Sequence, residues 1–260
     1  MIIYIISDAV GETAQQVVQA TLLQYPQLKP VVRTYPFVTT VAELAPIMQD
    51  AVAEKAVVAT TFVAAKLAAW ATNFAQQNEL QLIDYMSPLL QVITEQTGTA
   101  PLERPGMLHT INADYFKKVA ALDFAVAHDD GQGLQSLAKA DLVILGVSRT
   151  SKTPVSLYLA DQRLKVANIP LLPDNPLVAA VYQLPKEKLV GLTISPQRLQ
   201  KVRQTRMTAM GLTADNYYTD VTAIEKELAY ATEIFAKLQI TPIDTTERSV
   251  EETAALIMQR

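Results

Sequence analysis

Short apolar runs alternate along the chain with longer segments whose apolar residues recur at helical spacing. The runs are rich in β-branched residues and have the length of buried strands. In the longer segments, apolar positions lie three and four residues apart, as on one face of a helix. This alternation is typical of an α/β fold in which helices cover both faces of a parallel sheet. The predicted strands are 2–6, 31–37, 56–59, 80–83, 142–145, 165–169, 188–194 and 240–243.

The apolar positions within the helical segments predict which face of each helix is buried. The stripes predicted to face a core are Ala14, Val17, Val18 and Leu22; Leu67, Trp70, Ala71 and Phe74; Ile224, Leu228, Ala231, Phe235 and Leu238; and Val250, Ala254, Ile257 and Met258. A further helix is predicted over 112–127, ended by the polar turn at 128–131. Ser249, followed three residues later by Glu252, predicts a capping box at the start of the last helix.

The densest cluster of turn-forming residues lies near the middle of the chain. Between residues 97 and 106 the sequence collects two threonines, two glycines and two prolines. Such a cluster is expected where the chain crosses from one domain to the next. We therefore predict two α/β domains, an N-terminal Rossmann-like domain at 1–105 and a C-terminal domain at 106–260.

Composition and charge narrow the functional classes. With 26 acidic and 22 basic residues the formal net charge is −4, so a broad basic face for nucleic acid is not expected. The absence of cysteine excludes disulfides and thiolate metal ligands, and two histidines disfavour a histidine-rich metal site. The apolar run at 1–6 lacks a basic segment and a cleavage site, and no run reaches the length of a membrane span. The expected location is the cytoplasm.

One motif carries recognisable chemistry. The run Gly146, Val147, Ser148, Arg149, Thr150, Ser151, Lys152 and Thr153 matches the phosphate-binding pattern G-x-x-x-x-G-K-[ST] at three of its four fixed positions. In that pattern, N–H groups of the loop and of a helix N-terminus bind phosphate oxygens, while the lysine adds positive charge and the hydroxyl holds Mg²⁺. Ser151 stands at the second glycine position, where it must avoid positive φ or accept its cost.

The context of the motif supports a phosphate-binding loop. The motif follows the predicted strand 142–145 and precedes a predicted helix that begins near residue 155. This is the order of elements that such a loop requires. We therefore predict that residues 146–153 bind a phosphorylated cofactor in a P-loop-kinase-like parallel-sheet domain. The alternative interpretation is an ordinary basic turn between a strand and a helix.

Two carboxylates lie just upstream of the strand that leads into the loop. Asp129 or Asp130 could accept the proton of an attacking hydroxyl or bind Mg²⁺. Asp-Asp-Gly is equally good turn chemistry, and the turn is the simpler interpretation. His128 beside them is expected to be satisfied by a neighbour or exposed.

Three further polar segments each admit two interpretations. A basic segment after residue 195 could bind phosphate oxygens as a closing lid, or it could form a solvated helix face. Its residues are Arg198, Lys201, Arg203 and Arg206. The turn at 7–13 is either a second polar site at the edge of the first sheet or a turn in which Ser7 and Asp8 cap a helix. Asp244 could contact a nucleotide, although a capping role at 244–246 is expected.

The loop belongs to a set of recognisable segments spread over the whole chain. Besides 146–154, these are 7–8, 11–14, 124–126, 128–131, 158–160, 165–171, 190–194, 243–246 and 249–254. With these segments the chain resembles the pyruvate, phosphate dikinase regulatory protein family. A sister branch that regulates phosphoenolpyruvate synthase is similar but carries a Ser-Gly-Lys-Thr loop, whereas Thr-Ser-Lys-Thr at 150–153 sides with the dikinase regulators. Ala9 departs from the family, in which a small hydroxyl residue is expected.

The resemblance implies a bifunctional enzyme that acts on a threonine of another protein. As an ADP-dependent kinase it would inactivate pyruvate, phosphate dikinase. As a phosphate-dependent phosphorylase it would remove the phosphoryl group and form pyrophosphate. The resemblance therefore implies ADP, inorganic phosphate and Mg²⁺ as cofactors and the dikinase as partner, and the family suggests a homodimer.

A single pocket would explain both directions. A loop that holds the terminal phosphate of ADP offers the same N–H groups, and the same Lys152, to free phosphate. The predicted catalytic residues are Lys152, Asp130 and Asp129, with Asp130 preferred as acceptor of the hydroxyl proton, and Mg²⁺ is expected near Thr153. Three alternatives stay open: the same chemistry on phosphoenolpyruvate synthase, an ATP-dependent small-molecule kinase, and a nucleotide sensor without catalysis.

Overall fold

The computed structural model describes residues 1–109, 113–212 and 217–260. The chain divides into two compact units, Met1–Thr110 and Ile111–Arg260. Each unit contains a four-stranded parallel sheet with helices between the strands. The predicted α/β class with two parallel sheets is therefore confirmed, and the predicted crossing after residue 105 lies shortly before this division.

The first unit is built from four strands and four helices. The strands are β1 (Ile2–Ser7), β2 (Val31–Tyr35), β3 (Val57–Thr61) and β4 (Leu82–Asp84). The helices are α1 (Glu12–Leu22), α2 (Val41–Ala53), α3 (Ala65–Gln77) and α4 (Ser87–Thr97), followed by a 3₁₀ turn at Met107–His109. The strand order is β2-β1-β3-β4. Tyr4 and Ile6 face the core under α2 and α3, and Ile3 and Ile5 face the core under α1.

The second unit repeats this plan with more helices. Its strands are β5 (Leu142–Gly146), β6 (Val166–Pro170), β7 (Leu189–Thr193) and β8 (Ile243–Asp244). Its helices are α5 (Ala113–Ala127), α6 (Lys152–Asp161), α7 (Ala179–Tyr182), α8 (Pro196–Ala209), α9 (Val221–Lys237) and α10 (Val250–Met258). Single 3₁₀ segments lie at Asp129–Gly131, Leu134–Lys139, Lys186–Lys188 and Tyr217–Thr219.

The strand order of the second sheet places β5 at a topological switch point. The order is β6-β5-β7-β8 with every pair parallel. The next strand in the chain, β6, therefore lies on one side of β5, and β7 lies on the other side. β5 is buried on both faces, with Val143 and Leu145 in the cluster that contains Phe235 and with Ile144 in the cluster that contains Leu159. Each such side chain stabilises the fold by about 1.5–3 kcal/mol. The carboxyl end of β5 is thus rigidly held where open α/β sheets bind ligands.

The last strand is shorter than predicted. The sequence predicts a strand over 240–243, but β8 contains only Ile243 and Asp244. Ile240 instead donates its N–H to the carbonyl of Phe235, which closes the end of α9, and Pro242 has no N–H to donate. Similarly, β2 ends at Tyr35 because a proline follows it.

The predicted helix faces are mostly correct. On α1, Ala14 and Val18 are buried, but Val17 is exposed and does not belong to the core stripe. On α10, Met258 was likewise predicted to face the core and is exposed. The capping box of Ser249 and Glu252 at the start of α10 is confirmed. The helix predicted over 112–127 corresponds to α5, with residue 112 outside the described residues. In the part of the chain that the structure describes, none of the helices is long and apolar enough to cross a membrane.

Candidate phosphate-binding site

The predicted loop connects β5 to α6 at the switch point of the second sheet. β5 ends at Gly146 and α6 begins at Lys152. A Cβ atom on Gly146 would lie 2.7 Å from the Thr150 hydroxyl oxygen and 2.8 Å from the Leu192 carbonyl oxygen. The glycine is therefore required for space, because the loop turns back tightly over the end of the sheet.

Two loop residues adopt the left-handed backbone conformation. Arg149 has a φ of 72° and Ser151 a φ of 62°, so Ser151 accepts positive φ at a cost of about 1–2 kcal/mol. Thr150 between them is fully buried, and its hydroxyl donates to the Val147 carbonyl at 2.9 Å. This bond closes the loop on itself. Left-handed residues turn successive N–H groups to one side, the geometry of concave anion-binding loops.

The N–H groups of the loop are available to a ligand. Over the described residues, none of the N–H groups of 148–153 donates to a protein acceptor. Ser151 is the N-cap residue of α6 but makes no capping hydrogen bond with its side chain. The N-terminus of a helix also carries a partial positive charge of about half an elementary charge. Together these groups favour an anion at the start of α6.

A cavity of about 270 Å³ opens over the loop. It is lined by Asp130, Ser148, Arg149, Ser151, Lys152, Thr153, Pro154 and Val202. Most of the residues predicted to bind the cofactor therefore face one cavity. Gly146, Val147 and Thr150 do not line it, since Val147 and Thr150 are buried beneath the loop and Gly146 makes room for Thr150.

Lys152 lies at the floor of this cavity. Its side chain is buried, with 5% of the residue exposed, and its ammonium donates to the Val147 carbonyl at 3.0 Å across the loop. A lysine ammonium has three donors, so two remain for an anion. Burial lowers the pKa of Lys152 to about 8, although the negative charges of Asp130 and Asp129 oppose the shift. The cation is therefore poorly solvated, which strengthens its attraction for a ligand anion.

The turn at 129–131 brings both predicted carboxylates to the loop. Asp129 accepts hydrogen bonds from the Thr153 hydroxyl at 2.8 Å and from the Asn168 amide at 2.6 Å. Asp130 has a φ of 48°, lines the cavity, and donates its N–H to the side-chain oxygen Oδ1 of Asn168 at 3.1 Å. The residues thus form the expected turn, and that turn also places two carboxylates beside Lys152.

Thr153 and Asp129 are the pair best placed to hold a divalent cation. In the described part of the chain, no group of three or more His, Cys, Asp or Glu residues could hold a metal ion. Mg²⁺ is, however, usually bound by one or two carboxylates together with substrate phosphates. A hydroxyl and a carboxylate oxygen 2.8 Å apart at the start of α6 fit that pattern.

Comparison with known proteins decides the family. The model of the kinase/pyrophosphorylase family matches residues 3–258. The chain belongs to the kinase/pyrophosphorylase family. A relative from Latilactobacillus sakei is 45% identical over 98% of this chain and 97% of its own length. Relatives from Streptococcus sanguinis and Enterococcus faecalis are each 44% identical, over 99% and 100% of this chain and 95% and 97% of their own lengths. All three carry the provisional name pyruvate, phosphate dikinase regulatory protein, so the predicted resemblance is confirmed.

The basic segment of α8 contains one buried arginine. Arg203 is fully buried and pairs with Glu227 through two hydrogen bonds of 2.9 and 2.6 Å. Its guanidinium also donates to the carbonyls of Tyr218 and Ser148 at 3.0 and 3.3 Å. Both interpretations of the segment, a phosphate lid and a solvated face, are therefore wrong for Arg203. Arg198, Lys201 and Arg206 are exposed.

The polar turn after β1 also differs from its expected role. Asp8 is buried and accepts hydrogen bonds from the N–H groups of Val63 and Ala64 at 2.8 and 3.2 Å. It therefore closes the N-terminus of α3 rather than that of the helix that follows it. α1 itself begins after Gly11, which has a φ of 85° and no side chain that could cap.

His128 and Asp244 both have structural roles. His128 is buried, and its ring nitrogens lie 2.7 Å from the Phe124 carbonyl and 2.7 Å from the Ser136 hydroxyl. Asp244 accepts the N–H of Thr246 at 2.9 Å and so caps the turn, as expected. The hydrogen bonds from Thr246 lower the pKa of Asp244.

Two residues near the loop, Asn168 and Tyr218, were not identified from the sequence. Asn168 is fully buried in the middle of β6, and a polar residue inside an apolar strand was a signal that could have revealed it. Tyr218 reaches the loop with its hydroxyl 3.3 Å from Ser148 Oγ. Its contact depends on how α8 and α9 pack, and no local pattern indicates it.

Proposed function

We propose that this chain regulates pyruvate, phosphate dikinase by transferring a phosphoryl group to and from one of its threonines. The proposal combines the chemistry implied by the sequence resemblance with the names of the relatives and with the geometry of the second unit. In the inactivating direction ADP is the donor. In the activating direction inorganic phosphate is the acceptor and pyrophosphate is the product.

One observation supports this proposal above all others. The unpaired N–H groups of 148–153, the buried ammonium of Lys152 and the carboxylate of Asp130 surround a single cavity. N–H groups and a lysine bind phosphate oxygens, and a carboxylate within the same cavity can accept a proton. These are the groups that phosphoryl transfer needs, since its catalysis is mostly positioning and charge stabilisation.

In the kinase direction the terminal phosphate of ADP occupies the loop. The threonine oxygen attacks the β-phosphorus while the bond from that phosphorus to the bridging oxygen breaks, and AMP leaves. Asp130 accepts the hydroxyl proton, and Lys152 with the loop N–H groups stabilises the charge on the transferred group. Asp129 holds Asn168 and Thr153 in place, which fixes the turn that carries Asp130.

In the opposite direction inorganic phosphate occupies the same loop. One of its oxygens attacks the phosphorus of the phosphothreonine, the bond from phosphorus to the threonine oxygen breaks, and pyrophosphate forms. A proton from the attacking phosphate passes through Asp130 to the departing threonine oxygen. Both directions therefore use one anion site, because free phosphate and the terminal phosphate of ADP present similar oxygens to the same donors.

Thr153 and Asp129 would hold Mg²⁺ in this site. Mg²⁺ would supply additional charge neutralisation. The hydroxyl of Thr153 lies on the first turn of α6, directly after Lys152, and is fixed by its bond to Asp129.

The test is to incubate the chain with purified dikinase and ADP and to locate phosphate on the dikinase by mass spectrometry. Phosphate should then release the group and yield pyrophosphate. Lys152→Met should abolish both reactions, whereas Lys237→Met, which changes an exposed lysine on α9, should change neither. Full dephosphorylation by the Lys152 variant would refute the shared site.

Ligand binding separates the proposal from its alternatives. A ligand that binds the folded chain raises the unfolding temperature by an amount that grows with the ratio of its concentration to its Kd. At equal concentration, thermal shift with ADP, ATP, phosphate and pyrophosphate therefore identifies the preferred anion. A preference for ADP with transfer to the dikinase supports the proposal. Transfer to phosphoenolpyruvate synthase alone would make the synthase the target. A preference for ATP with turnover of a metabolite would indicate a small-molecule kinase, and binding without turnover would indicate a nucleotide sensor.

A further inference from the structure

We propose that Arg149, held in position by Tyr218, makes the site selective for a diphosphate over a single phosphate. The inference rests on the proposed function, because it assigns a role within the same phosphate-binding cavity. The diphosphate is either ADP or pyrophosphate, which present the same pair of phosphate groups.

Arg149 and Lys152 occupy different depths of the cavity. Both residues line it, but Lys152 is buried at its floor whereas Arg149 is exposed at its rim. A single phosphate bound by the loop N–H groups and Lys152 fills the floor. The next phosphate of a diphosphate must then lie toward the rim. There the cavity is lined by the cationic side chain of Arg149.

The guanidinium of Arg149 is held in place through its Nε, and the N–H groups of its two terminal nitrogens stay available. Its Nε donates to the Tyr218 hydroxyl at 3.3 Å. An arginine has five N–H donors, four of them on the terminal nitrogens. Over the residues that the structure describes, those four donate to no protein acceptor. They are the donors that bind two phosphate oxygens in a forked geometry.

Tyr218 is held by the buried guanidinium of Arg203 in addition to its contacts with the loop. Its ring lies on the guanidinium of Arg203 at 4.4 Å, and its carbonyl accepts from Arg203 at 3.0 Å. Arg203 is in turn held by Glu227 and also donates to the Ser148 carbonyl. The same buried guanidinium therefore fixes both the tyrosine and the loop, so the Tyr218 hydroxyl is a positioning group for Arg149.

The test measures affinity for phosphate, pyrophosphate and ADP by calorimetry in Arg149→Gln, Tyr218→Phe and an arginine control. Arg149→Gln should weaken pyrophosphate and ADP at least tenfold, the effect expected for a lost charge-assisted interaction, and phosphate by less than threefold. Tyr218→Phe keeps the ring on Arg203 and removes only the hydroxyl, so it should weaken the diphosphates severalfold and leave phosphate unchanged. In the kinase reaction, Arg149→Gln should raise the KM for ADP more than it lowers kcat.

Arg163→Gln is the matched control. Arg163 is exposed, lies in the same unit, and has a φ of 71°, close to the 72° of Arg149. The control should bind all three anions as the wild type does. Equal loss of phosphate and diphosphate affinity in Arg149→Gln, or no loss of either, would overturn the inference.

The outcome also distinguishes this inference from the proposed function. If Lys152→Met loses phosphate binding while Arg149→Gln does not discriminate, the shared site stands and only the role of Arg149 fails. If Lys152→Met binds every anion normally, the proposed function itself fails. A loss of ADP affinity with pyrophosphate unchanged would place Arg149 at the nucleoside and would likewise overturn diphosphate selection.

Discussion

Replacing Lys152 by methionine should stabilise the second unit while removing its anion site. The ammonium of Lys152 is buried, and burial is the main cause of its lowered pKa. A methionine has a similar unbranched stem and carries no charge that must be desolvated. The Val147 carbonyl keeps the hydrogen bond from Thr150 after the ammonium is lost. The buried charge of Lys152 therefore lowers the free energy of unfolding of the wild type.

The magnitude follows from the pKa difference between the folded and unfolded chain. Lys152 has a pKa of 10.5 when solvated and about 8 in the fold, a difference that corresponds to roughly 3 kcal/mol. Below about pH 8 the lysine is charged in both states, so the folded chain carries the full cost. As the pH rises from about 8 to 10.5 the unfolded state binds more protons, so the wild type regains stability.

The assay is urea unfolding of wild type and Lys152→Met at several pH values, followed by far-ultraviolet circular dichroism. The fluorescence of Trp70 reports the first unit and serves as an internal control. The variant should be more stable at pH 7 by about 2 kcal/mol after allowance for the lost hydrogen bond. Its advantage should shrink by roughly 2–3 kcal/mol between pH 7 and 10. A constant difference over that range, or a less stable variant at pH 7, would refute the reasoning.

Three further predictions follow from the same site. Gly146→Ala forces a Cβ against Thr150. It should therefore lower the unfolding free energy by about 1–3 kcal/mol and weaken phosphate binding in calorimetry. Normal stability and binding would contradict the steric argument. Arg203→Met leaves the half-buried Glu227 carboxylate without the arginine and should cost up to about 3 kcal/mol, the low end of the range for a buried pair. Adding Glu227→Gln should recover part of that loss in the same urea assay. Affinity for pyrophosphate should fall as the pH rises above about 8, because Lys152 loses its proton there, and Lys152→Arg should remove that dependence.

Elements with strong local signals were predictable from the sequence. β5 is an apolar run bounded by Asp141 and Gly146, and the last helix begins with the capping box of Ser249 and Glu252, so each carries its own start and stop signals. The loop was predictable because Gly146, Lys152 and Thr153 stand at fixed spacing. Its geometry requires these residue types whatever lies around it.

The rest of the site depends on contacts between distant parts of the chain. Arg203 lies in a segment that is otherwise basic and exposed, and only the packing of α8 against α9 shows that it is buried beside Glu227. Asp8 caps a helix more than fifty residues away, at Val63 and Ala64. Periodicity reports the face that a residue occupies, but it does not report which element lies opposite.

The two sheets share one strand order, so topology alone does not distinguish the two units as candidates for a phosphate site. In each unit the first strand lies between the second and third, and its carboxyl end leads into a helix, α1 or α6. Neither helix has a side-chain cap at its N-terminus. The first residue of α1 is Glu12, whose charge satisfies the helix dipole and repels anions, whereas the first residue of α6 is Lys152. The first residue of α6 is thus a buried lysine and the first residue of α1 an exposed glutamate, and this difference favours the end of β5 over the end of β1 as a candidate anion site.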